Sequence, residues 1–291
     1  MKLVLVHGIN QQGKSENVIR NLWMAALRTS AGQDAGWIDE KVTEVAAPFY
    51  GDRLFALSEV KKDWSAVAMG SDDTSDAFAE FAAEAIREMA LAAGANDAEI
   101  EAEAGETAVA AGAGPHKRWL KAAARVLERH APWLAPHALK LLGQAHAYLK
   151  RPHINQEIKD IVRPALEADE PMVIISHSLG TIVTYELLRE FEDAGRSRSC
   201  PLYLTLGSPL GIDEVRKSFP RPRKIPGGVA RWVNGSDPED FVALHSRLGP
   251  PKYNGDIENI ADIENGYDDP HDILQYLLDP RIVAAVKAGF A

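Results

Sequence analysis

Between Met172 and Thr181 the chain runs Met-Val-Ile-Ile-Ser-His-Ser-Leu-Gly-Thr, an apolar run that breaks at small residues and passes into a helical pattern. Val173, Ile174 and Ile175 are β-branched and suit a buried strand, whereas the spacing of apolar residues from Thr181 to Ala194 suits a helix. Similar short apolar runs occur at Leu3 to Val6, Val42 to Ala47, Leu202 to Leu206 and Val229 to Val233, with helical patterns at Val18 to Arg28 and Ile154 to Leu166. Strands apolar on both faces belong to a parallel sheet covered by helices. The order β-α-β, insertion, α-β-α-β-β therefore predicts an α/β fold: a mostly parallel central sheet flanked by helices, with reactive groups at the carboxyl ends of its strands.

The expected core comprises residues 1–59 and 152–291, interrupted by a helical insertion or cap at 60–151. That insertion is alanine-rich, acidic in its first half and basic in its second, with Phe78, Phe81, Ala82, Ala85, Ile86 and Met89 at helix spacing. It reads as a helical hairpin with complementary charged faces; a lid or a membrane-surface helix carrying Trp119, Leu120, Trp133 and Leu134 is the alternative.

With 291 residues, 46% hydrophobic and 25% charged, the composition is that of a globular protein and excludes collagen-like, disordered and disulfide-stapled classes. A single cysteine, Cys200, rules out an internal disulfide and a four-cysteine zinc site. A net charge of -10 argues against a general nucleic-acid binder, because phosphate contacts need a basic surface. No apolar stretch is long enough to span a bilayer, and Met1 to Val6 is too short for a signal peptide, so a cytoplasmic location is expected.

Two motifs compete for the chemistry. Gly8-Ile9-Asn10-Gln11-Gln12-Gly13-Lys14-Ser15 follows a strand and fits the phosphate-loop pattern, with Lys14 for outer phosphates and Ser15 for magnesium. Such a nucleotide site needs an aspartate at the end of another core strand. Met172 to Ile175 ends instead in Ser176, and Leu202 to Leu206 in Gly207. The second motif, Ser176-His177-Ser178-Leu179-Gly180, places a serine on a sharp strand-to-helix turn between small residues, which pushes its hydroxyl out of the sheet.

That turn resembles the nucleophile elbow of the α/β-hydrolase superfamily, and within it the lipase-like serine esterases, with Ser176 in place of the usual first glycine. Leu5-Val6-His7-Gly8-Ile9-Asn10 is similar to the early strand and His-Gly loop of those enzymes. The likeness implies oxyanion donors at the N–H groups of Ile9 or Asn10 and of Leu179. Asp240-Phe241-Val242-Ala243 resembles the family's Asp-x-Val-Pro segment, with Ala243 replacing proline, so Asp240 is the preferred acid. Asp237 is its rival and Asp213 a third placement. His271, in a turn-rich loop with Asp268, Asp269 and Asp272, completes the chain order Ser178, Asp240, His271. His245 is an alternative base. His7 and His177 read as structural, with His177 pointing away from the nucleophile.

The resemblance implies a serine hydrolase cleaving carboxylic esters, small or lipid, through an acyl-enzyme, with no metal or organic cofactor. Peripheral membrane contact stays open, and the sequence carries no signal for oligomeric state. Two other readings remain: a nucleotide-binding protein using Gly8 to Ser15, and a hydrolase-like interaction module without catalysis.

Overall fold

The computed structural model describes residues 1–58, 75–108, 115–132, 134–244, 247–266 and 269–291. Trp133, His245 and Asp268 lie outside the described residues. Six strands are seen among them: β1 (Lys2–Val6), β2 (Glu44–Ala46), β3 (Met172–His177), β4 (Leu202–Leu206), β5 (Trp232–Gly235) and β6 (Glu258–Ile260). They form one all-parallel sheet in the order β2-β1-β3-β4-β5-β6. The order reverses direction at β1 and β3, where α/β sheets open a crevice at their carboxyl ends.

β1, β3 and β4 are buried at every residue. On one face Leu3, Leu5, Val173, Ile175 and Leu204 pack with α1 (Glu16–Ala31), which contributes Ile19, Trp23 and Leu27. Tyr276 and Val286 from helices later in the chain, and Phe290 just after the last of them, complete that layer. On the other face Trp232 meets the rings of Tyr203, Tyr185 and Tyr253 at 5.1, 5.6 and 5.7 Å. The expected α/β layering is thus present, and its central strands have no wet side.

The fifth strand lies later than its apolar run implied. Val229 makes only an isolated bridge to Cys200, and pairing with β4 begins at Trp232 and extends through polar Asn234. Asn234 is tolerated because the sheet supplies partners. Thr205 Oγ1 donates to its Oδ1 at 2.9 Å, and its amide donates to Asn259 Oδ1 at 3.3 Å. β6, absent from the sequence reading, is a three-residue edge strand without an apolar run.

The chain divides into two compact units. One comprises Met1–Arg53, Gln156–Gly211 and Phe219–Ala291 and holds the sheet; the other comprises Leu54–Asn155 and Ile212–Ser218. In the helical unit α4 (Asp76–Ala92), α5 (Asp97–Ala108) and α6 (Pro115–His130) pack together. Glu103 on α5 lies between Arg125 and Arg129 of α6, at 2.9 and 2.7 Å, which joins the acidic and basic stretches. No helix among the described residues is long and apolar enough to cross a membrane.

Candidate active site

Ser178 stands between the end of β3 and α9 (Leu179–Asp193), with φ +53° and ψ -129°. This backbone region is costly for any residue with a Cβ, so the surrounding packing must hold it. Gly180 shows how: a Cβ there would lie 2.4 Å from the carbonyl oxygens of both Val6 and His7, so α9 seats against β1 only because the side chain is absent. The Ser178 N–H donates to Leu206 O at 3.1 Å and ties the turn to β4. Ser176, where the family pattern has glycine, is accommodated by donating its hydroxyl to Leu204 O at 3.2 Å. Ser178 is fully buried, and its Oγ makes no hydrogen bond.

Asp240 follows β5 and caps the short 3₁₀ turn Phe241–Ala243, its Oδ1 accepting from Val242 N at 2.9 Å and Ala243 N at 3.4 Å. Ala243 thus supplies an N–H that proline could not. The other oxygen, Oδ2, accepts from His271 Nδ1 at 2.8 Å. Of the three candidate acids, Asp240 is the one in hydrogen-bond contact with that histidine. Asp237 instead accepts from Glu239 N and Asn265 N, each at 2.6 Å, while Asp213 pairs with Arg216 at 2.6 Å.

A carboxylate can only accept, so the proton of neutral His271 lies on Nδ1 and the lone pair on Nε2. Nε2 is buried and unpartnered. Burial disfavours the charged imidazole, but the Asp240 carboxylate, by charge and hydrogen bond, outweighs it with help from Asp269 and Asp272. The His271 pKa is raised above the ordinary histidine value. Gly207 locates the pair against the elbow's neighbouring strand: a Cβ there would stand 2.9 Å from Asp240 Oδ2 and 3.0 Å from His271 Nδ1. Ser178 and His271 themselves share no hydrogen bond.

The early loop approaches the serine closely. A Cβ on Gly8 would lie 2.5 Å from Ser178 Cβ and 3.0 Å from its Oγ, so only glycine fits. Asn10 follows with φ +59°, and Leu179 opens α9, where first-turn N–H groups have no intrahelical acceptor. His7 braces the loop as expected. Its Nε2 accepts from Tyr50 N at 3.1 Å, which leaves Nδ1 to donate to Gly8 O at 2.8 Å. Burial lowers the His7 pKa to about 4, keeping the ring neutral and these two roles fixed.

No family model, curated protein or solved structure matches this chain. In the phosphate-loop stretch Gly13 N donates to Asp52 Oδ1 at 2.7 Å, Lys14 Nζ donates to Gln11 Oε1 at 2.8 Å, and Ser15 caps α1. A carboxylate thus takes an N–H that a phosphate would need. Among the described residues no cluster of three or more His, Cys, Asp or Glu could hold a metal.

Three further side chains belong to the site. His177 touches the candidate base: its Nε2 donates to His271 O at 2.9 Å, and the two rings lie 4.6 Å apart. Burial foremost, then the nearby His271, keeps the His177 pKa well below the ordinary value. Asn265 donates its amide to Pro270 O at 2.6 Å, fixing the residue before His271. Tyr276, on α11 (Ile273–Leu278), donates its hydroxyl to Asp240 Oδ2 at 2.7 Å. A tyrosine at i+3 from Ile273 on a buried helix face was the available signal, since a buried phenol must find a partner.

Proposed function

We propose that this chain is a serine hydrolase of carboxylic esters with an α/β-hydrolase arrangement, using Ser178 as nucleophile, His271 as base and Asp240 as acid. The observation that carries the reading is the Asp240–His271 pair, whose bare Nε2 accompanies a bare, buried Ser178 hydroxyl at a strained strand-to-helix turn. A base nitrogen and a hydroxyl that each lack an internal partner are the two groups such a proton exchange requires, and bonds of this kind often tighten only with substrate bound.

In the first step His271 Nε2 takes the Ser178 proton as Oγ bonds to the acyl carbon, and the carbonyl electron pair moves onto oxygen. Backbone N–H groups of Leu179 and of Ile9 or Asn10 would hold that oxyanion, each worth about 3 kcal/mol in the barrier. Asp240 keeps the Nδ1 tautomer and stabilises the imidazolium. Collapse breaks the bond to the alkoxy oxygen, which leaves as alcohol with the proton from Nε2. Water, deprotonated in turn by His271, attacks the acyl-enzyme and releases the acid and free Ser178. Small or lipid esters both suit this chemistry.

The test is covalent labelling by a fluorophosphonate with intact-mass detection. One adduct is expected on the wild-type chain and none on Ser178→Ala, together with a fall in ester turnover of about 10⁵-fold or more. A wild-type chain that takes no label and cleaves no activated ester would overturn the reading in favour of a silent interaction module.

A further inference from the structure

Tyr276 is fully buried five residues beyond His271, and its hydroxyl has two neighbours. Asp237 N lies 3.0 Å from it and Asp240 Oδ2 lies 2.7 Å from it. A backbone N–H can only donate, so the phenol oxygen accepts from Asp237 and its single proton goes to Asp240. The direction follows from the partners alone. Oδ2 then receives two donors, Tyr276 and His271 Nδ1, and charge drawn by one is withheld from the other.

We propose that Tyr276 is a positioning residue for the acid–base pair, its phenol sharing the Asp240 oxygen that holds His271 and so restraining how strongly the imidazole takes a proton. Its kinetic consequence rests on the hydrolase reading above; the proton affinity of His271 does not.

Four other groups face His271 or its loop: Asp240 itself, Asp269 and Asp272 on its own segment, and His177 from the end of β3. Asp269 and Asp272 act on the imidazole through space, and His177 holds the His271 carbonyl. Tyr276 differs in acting on the carboxylate oxygen that touches Nδ1. Phenylalanine would fill the same apolar face beside Ile273 and Leu277, although it would leave Asp237 N without its acceptor. What tyrosine adds is a proton donor with a fixed direction, since Asp237 N holds its oxygen in place.

The signs of two substitutions are opposite. Tyr276→Phe removes the competing donor, returns charge to Oδ2 and makes His271 a stronger base. 3-Fluorotyrosine at position 276 keeps both hydrogen bonds but donates more strongly, and makes His271 a weaker one. The experiment is an NMR titration of ¹⁵N-histidine-labelled protein, with the His271 signals assigned by their loss in His271→Asn. The His271 midpoint is expected to rise by about one pH unit in Tyr276→Phe, the size of a hydrogen bond to a charged group, and to fall in the fluorotyrosine chain. An unmoved midpoint in folded Tyr276→Phe, or shifts of the same sign in both chains, overturns the proposal. Should Tyr276→Phe not fold, the fluorotyrosine chain decides by its fall or lack of one. If the wild-type chain hydrolyses esters, the acid limb of kcat/KM moves with the NMR midpoint. If it neither hydrolyses nor labels, the hydrolase reading fails and the titration still decides the role of Tyr276.

Discussion

Asp237 and Asp240 stand three residues apart in one loop, and their hydrogen bonds give them different roles. Asp237 gathers backbone N–H groups from Glu239 and Asn265, while Asp240 offers Oδ2 to the side chains of His271 and Tyr276. Asparagine at 240 can turn an N–H toward His271 Nδ1, which favours the wrong tautomer. Asp240→Asn is expected to lower kcat by ~10⁴-fold while the fold persists. Asp237→Asn keeps one acceptor of two and should cost about 1–3 kcal/mol of stability with a far smaller loss in kcat. Ester hydrolysis measured beside urea unfolding separates the cases, and equal kcat losses would return the acid's role to Asp237.

At the scale of elements, legibility followed burial on both faces. β1, β3 and β4 announce themselves because each residue is apolar or hidden by its neighbours, and the turn at Ser178 follows from the small residues around it. The Asp240–His271 contact could be expected from the Asp-x-Val resemblance and from chain order. The partners of Tyr276 and Asn265 are not legible in the same way, because the bonds from Tyr276 to Asp240 and from Asn265 to Asp237 join segments far apart in sequence; a buried tyrosine signals that it needs a partner but not which one. β5 lies later than its apolar run for a related reason. Its Asn234 looks like a strand end, yet the bonds linking it to Thr205 and Asn259 make it a strand residue, and Trp232 Nε1 donates to the same Thr205 hydroxyl at 3.0 Å. Asn234→Val suits a strand by propensity but leaves buried donors and acceptors unpaired. It is expected to destabilise the chain by about 1–3 kcal/mol, read as a lower urea midpoint at unchanged slope; a more stable variant would show that the network contributes nothing.

Among the described residues of the whole molecule, three histidines are held neutral by burial. His7 and His177 lie in the sheet unit, and His146 lies in the helical unit, its ring 5.3 Å from those of Phe78 and Phe81. The pKa of His7 and of His146 is lowered to about 4, and that of His177 is lowered well below the ordinary value. In each case burial is the main cause, assisted at His146 by the charges of Arg151 and Lys150. A depressed value means that the unfolded chain binds the proton more readily, so the stabilisation is present above pH 6.5 and is lost as pH falls toward the folded value. His7 alone corresponds to about 3 kcal/mol over that window. His271, whose folded pKa is raised, has the opposite sign: its contribution is complete below pH 6.5 and disappears as pH rises through the folded value. Because the His271 contribution is constant below pH 6.5, the other three histidines set the sign there, and stability is expected to fall between pH 6.5 and 4, which urea midpoints measured across that range would record. His146→Leu removes a buried Nε2 that has no hydrogen-bond partner and fills the site with apolar volume. That variant should therefore flatten the pH dependence of unfolding, and a slope in pH identical to wild type would mean that His146 titrates alike in the folded and unfolded chain.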